Sequence, residues 1–257
     1  MPVELEKVGA IGVLRLRRAE RANALNRQLL EALAERQESL RTNTEIRVLV
    51  TVGEGKGFSA GSDLEELAGL SIEEAVDSQK LEGRVCRSFL SLPQPTIAAV
   101  HGYALGGGLF LAAYHDFRII ASNARLGAPE VVLGWNPTFG TSRLRSLAGS
   151  TATMRWLLSG EEFTPAQAAR EGFASRIVAS AEDVLSQSLE LGEQLAALPG
   201  VGLAAVKEAF WRDQAAELER ADTLEAELFG HCLASPQAQS SLLRYRKGSQ
   251  RNSKTDE

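Results

Sequence analysis

HGYALGGGLFLAAYHD, residues 101–116, sets three consecutive glycines, Gly106 to Gly108, ahead of an apolar run. The runs TIAAV (96–100) and FRIIA (117–121) on either side read as strands, so the glycines fall where a strand passes into a buried helix. Glycine at such a turn lets main-chain amides approach a ligand with no Cβ in the way. The unpaired N–H groups of the first helical turn point at the same place. That arrangement suits an oxygen acquiring negative charge. A phosphate loop is excluded because no Gly-Lys-Ser/Thr follows, and Gly102, Gly106 and Gly108 lack the dinucleotide-binding spacing. Close packing of helix on strand would also call for small residues, and this segment alone does not separate the two explanations.

Outward from the glycines, strands and helices alternate. IGVLRL (11–16) and IRVLVTV (46–52) read as strands, the second a β-branched run typical of a buried one. Between them Leu29, Leu30, Leu33 and Leu40 recur at helical spacing behind Asn26, a suitable N-cap. GEGKGFSAGSDLEEL (53–67) is a loop with four glycines that ends in an acidic helix start. SIEEAVDSQKLEGRVCRSFLSL (71–92) opens with a capping box, Ser71 to Glu74, and stops at Pro93. Further on, TPAQAAREG (164–172) is a short helix with Thr164 as N-cap, Pro165 at the first helical position, Gln167 closing the box and Gly172 as the stop. ASRIVA (174–179) reads as a last strand. From Ala181 the pattern is helical, interrupted at PGVG (199–202). One α/β domain over 1–195, a helical region over 196–247 and a disordered polar tail over 248–257 are expected.

At 257 residues and 44% hydrophobic content the chain can bury a substantial core. A net charge of -5 argues against a general nucleic-acid binder. Cys86 and Cys232 have no metal or redox spacing, so no metal site is expected. The first residues lack a basic then apolar leader, and no apolar run approaches the roughly 20 residues that cross a bilayer. A cytoplasmic protein with no membrane partner is the expectation. RLRRAER (15–21) clusters arginines, which reads as a solvated strand end or a local site for a small anion.

A second turn rich in small residues, FSAGSDL (58–64), could converge with the glycine triplet to form an oxyanion hole. With RANALN (21–26), PTIAAVHGYALGGGLFLA (95–112), DFRIIASNARLGAPEVVLGW (116–135) and TPAQAAREGFASRIV (164–178), in that order and spacing, the chain resembles the crotonase superfamily, also called the enoyl-CoA hydratase/isomerase superfamily. The resemblance implies an α/β spiral of ββα units with a C-terminal helical trimerisation region, assembled as a homotrimer or a dimer of trimers. It implies an acyl-CoA thioester as substrate, with coenzyme A entering only as part of it and no further cofactor. By position, the oxyanion donors would be the main-chain N–H groups of Ser62 and Gly107. Ala60, Asp63 and Leu64 would line the ligand-side turn, and Arg21, Ala22 and Ala24 would touch the phosphates and adenine of the coenzyme. Arg246 and Lys247 stand where the family has a lysine-rich run near the ligand. A serine nucleophile would need a histidine partner, and His101, His115 and His231 stand in no triad-like motif.

Hydration in this family resembles a two-glutamate design in which both acids position one water. The first would stand three residues beyond the middle glycine, where this chain has Phe110; the second falls in GAPEVVLG and is Glu130. One acid favours chemistry that needs one base. The resemblance to short-chain enoyl-CoA isomerases therefore points to transfer of a double bond from position 3 to position 2, with Glu130 shuttling the proton and Phe110 helping to exclude water. Trp135 would shape the acyl pocket. The alternatives are a 2-enoyl-CoA hydratase lacking the first glutamate, and a non-catalytic CoA-binding or scaffold subunit.

Overall fold

The protein is described here by a computed structural model covering residues 1–252, with side chains through Tyr245. β1 (Val3–Val8) forms an antiparallel hairpin with β2 (Ile11–Leu16), and from β2 onward the main sheet is parallel. β3 (Val48–Gly53) and β4 (Thr96–Val100) are buried at every position, as parallel strands covered on both faces must be. β6 (Phe117–Ala121) and β8 (Arg176–Val178) complete the order β1-β2-β3-β4-β6-β8. A separate parallel ribbon joins β5 (Tyr103–Leu105) to β7 (Arg125–Gly127). It carries the main chain away from the sheet at the point where the glycine triplet begins.

The helices follow the capping signals. Asn26 caps α1 (Arg27–Arg41), accepting from the Leu29 N–H at 3.0 Å, and Asp63 caps α2 (Leu64–Leu67). Both capping boxes close, Ser71 with Glu74 at the head of α3 (Ile72–Ser88) and Thr164 with Gln167 at the head of α7 (Pro165–Arg170). α4 (Gly107–Ala113) is buried throughout and α5 (Glu130–Leu133) is one short turn. α6 (Thr141–Ser159) is interrupted at Gly149, and α8 (Ala181–Ala196) packs on β3, β4 and β6. The long α9 (Gly200–Leu233) begins directly after the expected break at Pro199. α10 (Pro236–Asn252) runs through Gly248, where the sequence reading places the start of a polar tail. The remainder of that tail, 253–257, lies outside the described residues.

The sheet and the helices packed on it share one large core, which includes Phe89, Phe110, Phe139 and Phe173. A second, smaller cluster of Leu67, Trp135, Phe229, Leu233 and Leu242 joins α2, α9 and α10 above the glycine triplet. α9 is tied to the main sheet by Lys207, whose buried Nζ donates to the carbonyls of Phe89 and Gln94 at 3.0 and 2.8 Å and pairs with Asp116 at 2.7 Å. Among the described residues no helix is long and apolar enough to cross a membrane.

Candidate active site

Each glycine of the triplet has a different neighbour. Gly108 packs against Ser59 of the second turn: a Cβ there would stand 2.4 Å from the Ser59 carbonyl oxygen, so this glycine serves close packing. Gly106 has φ +51°, and a Cβ on it would come within 3.0 Å of Glu130 Oε1. A Cβ on Gly107 would stand 2.0 Å from Glu82 Oε1. Packing thus explains one glycine, and the approach of two carboxyl groups explains the other two.

The second turn meets the first at Gly61, which has φ +93° and whose added Cβ would fall 2.9 Å from the Gly107 nitrogen. Hydrogen bonds from Leu25 N–H to the Gly61 carbonyl (2.8 Å), from Asp63 N–H to the Leu25 carbonyl (3.1 Å) and from Leu105 N–H to the Ser59 carbonyl (3.1 Å) fix it there. The Ser62 nitrogen lies 3.3 Å from the position of a Gly107 Cβ. Neither the Ser62 nor the Gly107 N–H donates to a partner among the described residues. Two unpaired donors side by side at the edge of a cavity suit an oxygen that becomes negative.

That cavity is about 60 Å³, with Ser62, Gln79, Glu130 and Thr138 as its polar lining. Leu64, Leu133, Trp135 and Phe229 roof it, the last two rings meeting edge to face at 6.0 Å. Roomier clefts lie elsewhere, those of about 550 and 380 Å³ flanking α9 around Lys207 and Trp211, and none of them is lined by Ser62, Gly107 or Glu130. The chemistry-bearing groups gather at the small cavity, not at the large clefts.

Glu130 opens α5 beside Gly106. The residue as a whole is partly exposed, but its Oε2 is enclosed and has no hydrogen-bond partner among the described residues. Burial pushes the carboxyl up to about 7. Glu82 arrives from α3 and is 1% exposed. Its Oε1 accepts from the Ser62 hydroxyl at 3.1 Å and its Oε2 from the Gln79 amide at 3.4 Å, while Gln79 Oε1 accepts from Thr138 Oγ1 at 2.6 Å. Burial pushes this carboxyl up to about 8; the Ser62 hydrogen bond opposes the shift and the charge of Glu130 adds to it. Two buried carboxyls with raised pKa values beside two unpartnered main-chain donors make this cavity the candidate for proton transfer.

The sequence profile of the enoyl-CoA hydratase/isomerase family matches residues 6–253. The chain belongs to this family. It is 34% identical over 233 residues to the crotonyl-CoA hydratase of Syntrophomonas wolfei, covering 90% of this chain and 89% of that one. Identity is also 34% with the 2,3-dehydroadipyl-CoA hydratase of Escherichia coli, covering 84% of each chain. An enoyl-CoA hydratase from Bacillus anthracis superposes with a TM-score of 0.80 at 28% identity over 90% of each chain. An enoyl-CoA hydratase/isomerase from Xanthobacter autotrophicus shares the fold at TM-score 0.88 and 23% identity, over 96% of this chain and 93% of that one.

In this enoyl-CoA hydratase/isomerase, the structure gathers Ser62, Gly107, Glu130, Ala60, Leu64 and Trp135 around one cavity. Phe110 is turned away from it, into the core, with its ring 5.5 Å from that of Phe139 and packed under Gly140. Asp63 caps α2 and pairs with Arg18 at 3.0 Å. Arg18 also donates to the Ala24 carbonyl at 2.6 Å and is the enclosed arginine of its cluster, whereas Arg21 is exposed and paired with Glu65. Ala22 and Asn23 both take positive φ, 53° and 52°, held by Asn23 Nδ2 donating to the carbonyls of Glu54 and Gly57. The Ala22 carbonyl accepts from the Ala60 N–H at 3.0 Å, which links this strained turn to the turn that carries Gly61 and Ser62. His115 is buried between the Leu111 carbonyl and Thr51 Oγ1, and burial pushes its pKa down to about 3. The Ser62 hydroxyl bonds to Glu82 and Gln79, not to a histidine. The side chains of Arg246 and Lys247 lie outside the described residues.

Glu82 and Gln79 have no counterpart in the sequence expectations. A signal was present: the Ser71 capping box fixes the phase of α3, and Ala75, Ser78, Gln79, Glu82, Val85 and Cys86 then fall on its buried face.

Proposed function

We propose that the chain moves a double bond of an acyl-CoA from position 3 to position 2, through a thioester enolate. The observation that carries this reading is the enclosed, unpartnered Oε2 of Glu130, the one carboxylate lining the cavity among the described residues. The thioester oxygen would accept from the Ser62 and Gly107 N–H groups, which makes the α-hydrogen acidic. Glu130 takes that proton as the C–H electrons move onto the thioester oxygen. It then returns the proton at the γ-carbon as the 2,3 double bond forms, so one base completes the cycle. The roof of Leu64, Leu133, Trp135 and Phe229 keeps water away from the dienolate. Coenzyme A takes part only as the carrier of the acyl group.

Hydration of a 2-enoyl-CoA is the second reading, favoured by relatives named hydratases and by the presence of a second buried carboxyl, Glu82. Supplying 2-enoyl-CoA and 3-enoyl-CoA separately in isotopically labelled water, and following product mass, separates the two. Isomerisation consumes the 3-enoyl substrate with no added water. Water addition to the 2-enoyl substrate as the dominant turnover would overturn it. An idle scaffold predicts that Glu130→Gln changes no detected activity.

A further inference from the structure

Glu82 is placed where an ionised carboxylate would do harm. Its Oε1 lies against the Cα of Gly107 so closely that a methyl group there would overlap it at 2.0 Å, and the Ser62 nitrogen is 3.3 Å from the same point. Both residues line the cavity, and neither N–H has a partner among the described residues. A negative charge beside them would oppose the negative charge that a thioester oxygen gains on enolisation, and within an enclosed site such repulsion is weakly screened. The carboxyl is also tied to the turn it adjoins, through the Ser62 hydroxyl at 3.1 Å and through Gln79 to Thr138 on the opposite wall.

We propose that Glu82 serves this site as a neutral carboxylic acid, a positioning residue that braces the Ser62 turn against Gly107 and disables the oxyanion hole when it ionises. With the proton on Oε1, Glu82 donates to Ser62 Oγ, and the Ser62 hydroxyl is released toward the cavity it lines. Loss of that proton reverses the bond and places a charge beside both donors. The ionisable groups acting on Glu82 are Glu130 from α5 and Glu66 from α2, both acidic, while the thiol of Cys86 lies one turn along α3. Burial and both carboxylates favour the protonated form at neutral pH; Ser62 and Gln79, as donors, oppose it. This role rests on Ser62 and Gly107 gripping a thioester oxygen, and it holds for isomerisation and hydration alike.

The test uses acetoacetyl-CoA, a β-keto thioester read as its enolate by ultraviolet absorbance, so that binding is measured without turnover. Affinities of the wild-type protein and Glu82→Gln are compared across pH, and their ratio cancels the ionisation of the ligand itself. Relative to the variant, wild-type binding is expected to fall about tenfold per pH unit above about pH 8. Glu82→Gln is expected to lower kcat/KM at neutral pH by no more than about tenfold and to remove the alkaline fall. Ser62→Ala keeps the main-chain donor and covers the case in which the amide variant does not fold. Without the hydroxyl that stabilises the carboxylate, its alkaline fall moves to higher pH. A pH-independent affinity ratio would overturn the role. So would Glu82→Gln losing kcat as completely as Glu130→Gln while still binding the enolate, because Glu82 would then be moving a proton itself. If neither enoyl-CoA is turned over but the affinity ratio behaves as stated, the proposed reaction fails and the role of Glu82 stands.

Discussion

Replacing Glu82 by glutamine should stabilise the protein in a pH-dependent way. The carboxyl ionises near its ordinary value of 4.5 in the unfolded chain and at about 8 in the folded one. Between these values the folded state keeps a proton that the unfolded state has released, so stability falls as pH rises. The penalty is absent below the unfolded value and complete above the folded one. A shift of roughly 3.5 units at about 1.4 kcal/mol each sets an upper bound near 5 kcal/mol, and some local rearrangement around the charge brings the expectation to about 2–4 kcal/mol. The glutamine variant has no charge to bury. Urea unfolding of both proteins at about pH 5 and about pH 8.5 should find them within about 1 kcal/mol at the lower pH, with the variant ahead by the larger amount at the higher. Glu130, itself pushed up to about 7, contributes its own loss to both proteins, so that only its coupling to Glu82 enters the difference. Parallel stability curves would refute the reasoning, because they would mean that Glu82 titrates alike in both states.

Glu130→Gln should cut kcat by about 10²–10⁴ while KM stays within about threefold, measured by steady-state turnover of the preferred enoyl-CoA. On the proposed role of Glu130 as the base, which acts ionised, kcat/KM of the wild-type enzyme should rise with pH through about 7. Gly107→Ala drives a methyl group into Glu82 Oε1 and displaces the turn, so kcat/KM should fall by about 10²–10³ and overpacking should cost about 1–3 kcal/mol of stability. Lys207→Met strands the buried Asp116 carboxylate and leaves the Phe89 and Gln94 carbonyls without their donor; thermal or urea unfolding should register a loss of about 3–5 kcal/mol.

The fold was legible wherever a local rule and the tertiary packing agree. Runs rich in apolar and β-branched residues became the buried parallel strands β3 and β4, and Asn26, Ser71 and Thr164 capped the helices their positions announced. β1 went unread because only Val3 along it is buried, so it carries no clear alternation. β5 and β7 have three residues each, too few for any period, and exist because their neighbours position them. The end of α10 carries no helical signal in the sequence, because it is polar and contains Gly248.

In the site, main-chain donors could be read from sequence because they demand small residues at turns, and Gly61, Gly106 and Gly107 supply them. Side chains that reach the same point from a distant helix leave no such mark. Glu82 lies 25 positions before Gly107 in a helix whose exposed face is also acidic, so its identity alone does not single it out. What distinguishes it is phase, since Glu73, Glu74 and Asp77 face solvent or its margin while Glu82 shares the stripe of Ala75, Val85 and Cys86. A carboxyl on the apolar stripe of a well-capped helix must meet a hydroxyl, an amide or a glycine, because burial without partners would exclude it. Here it meets all three, and the Ser62 hydroxyl, the Gln79 amide and Gly107 all belong to residues that line the small cavity. The middle glycine of the triplet is therefore constrained from both sides, by the ligand it would bind and by the acid behind it.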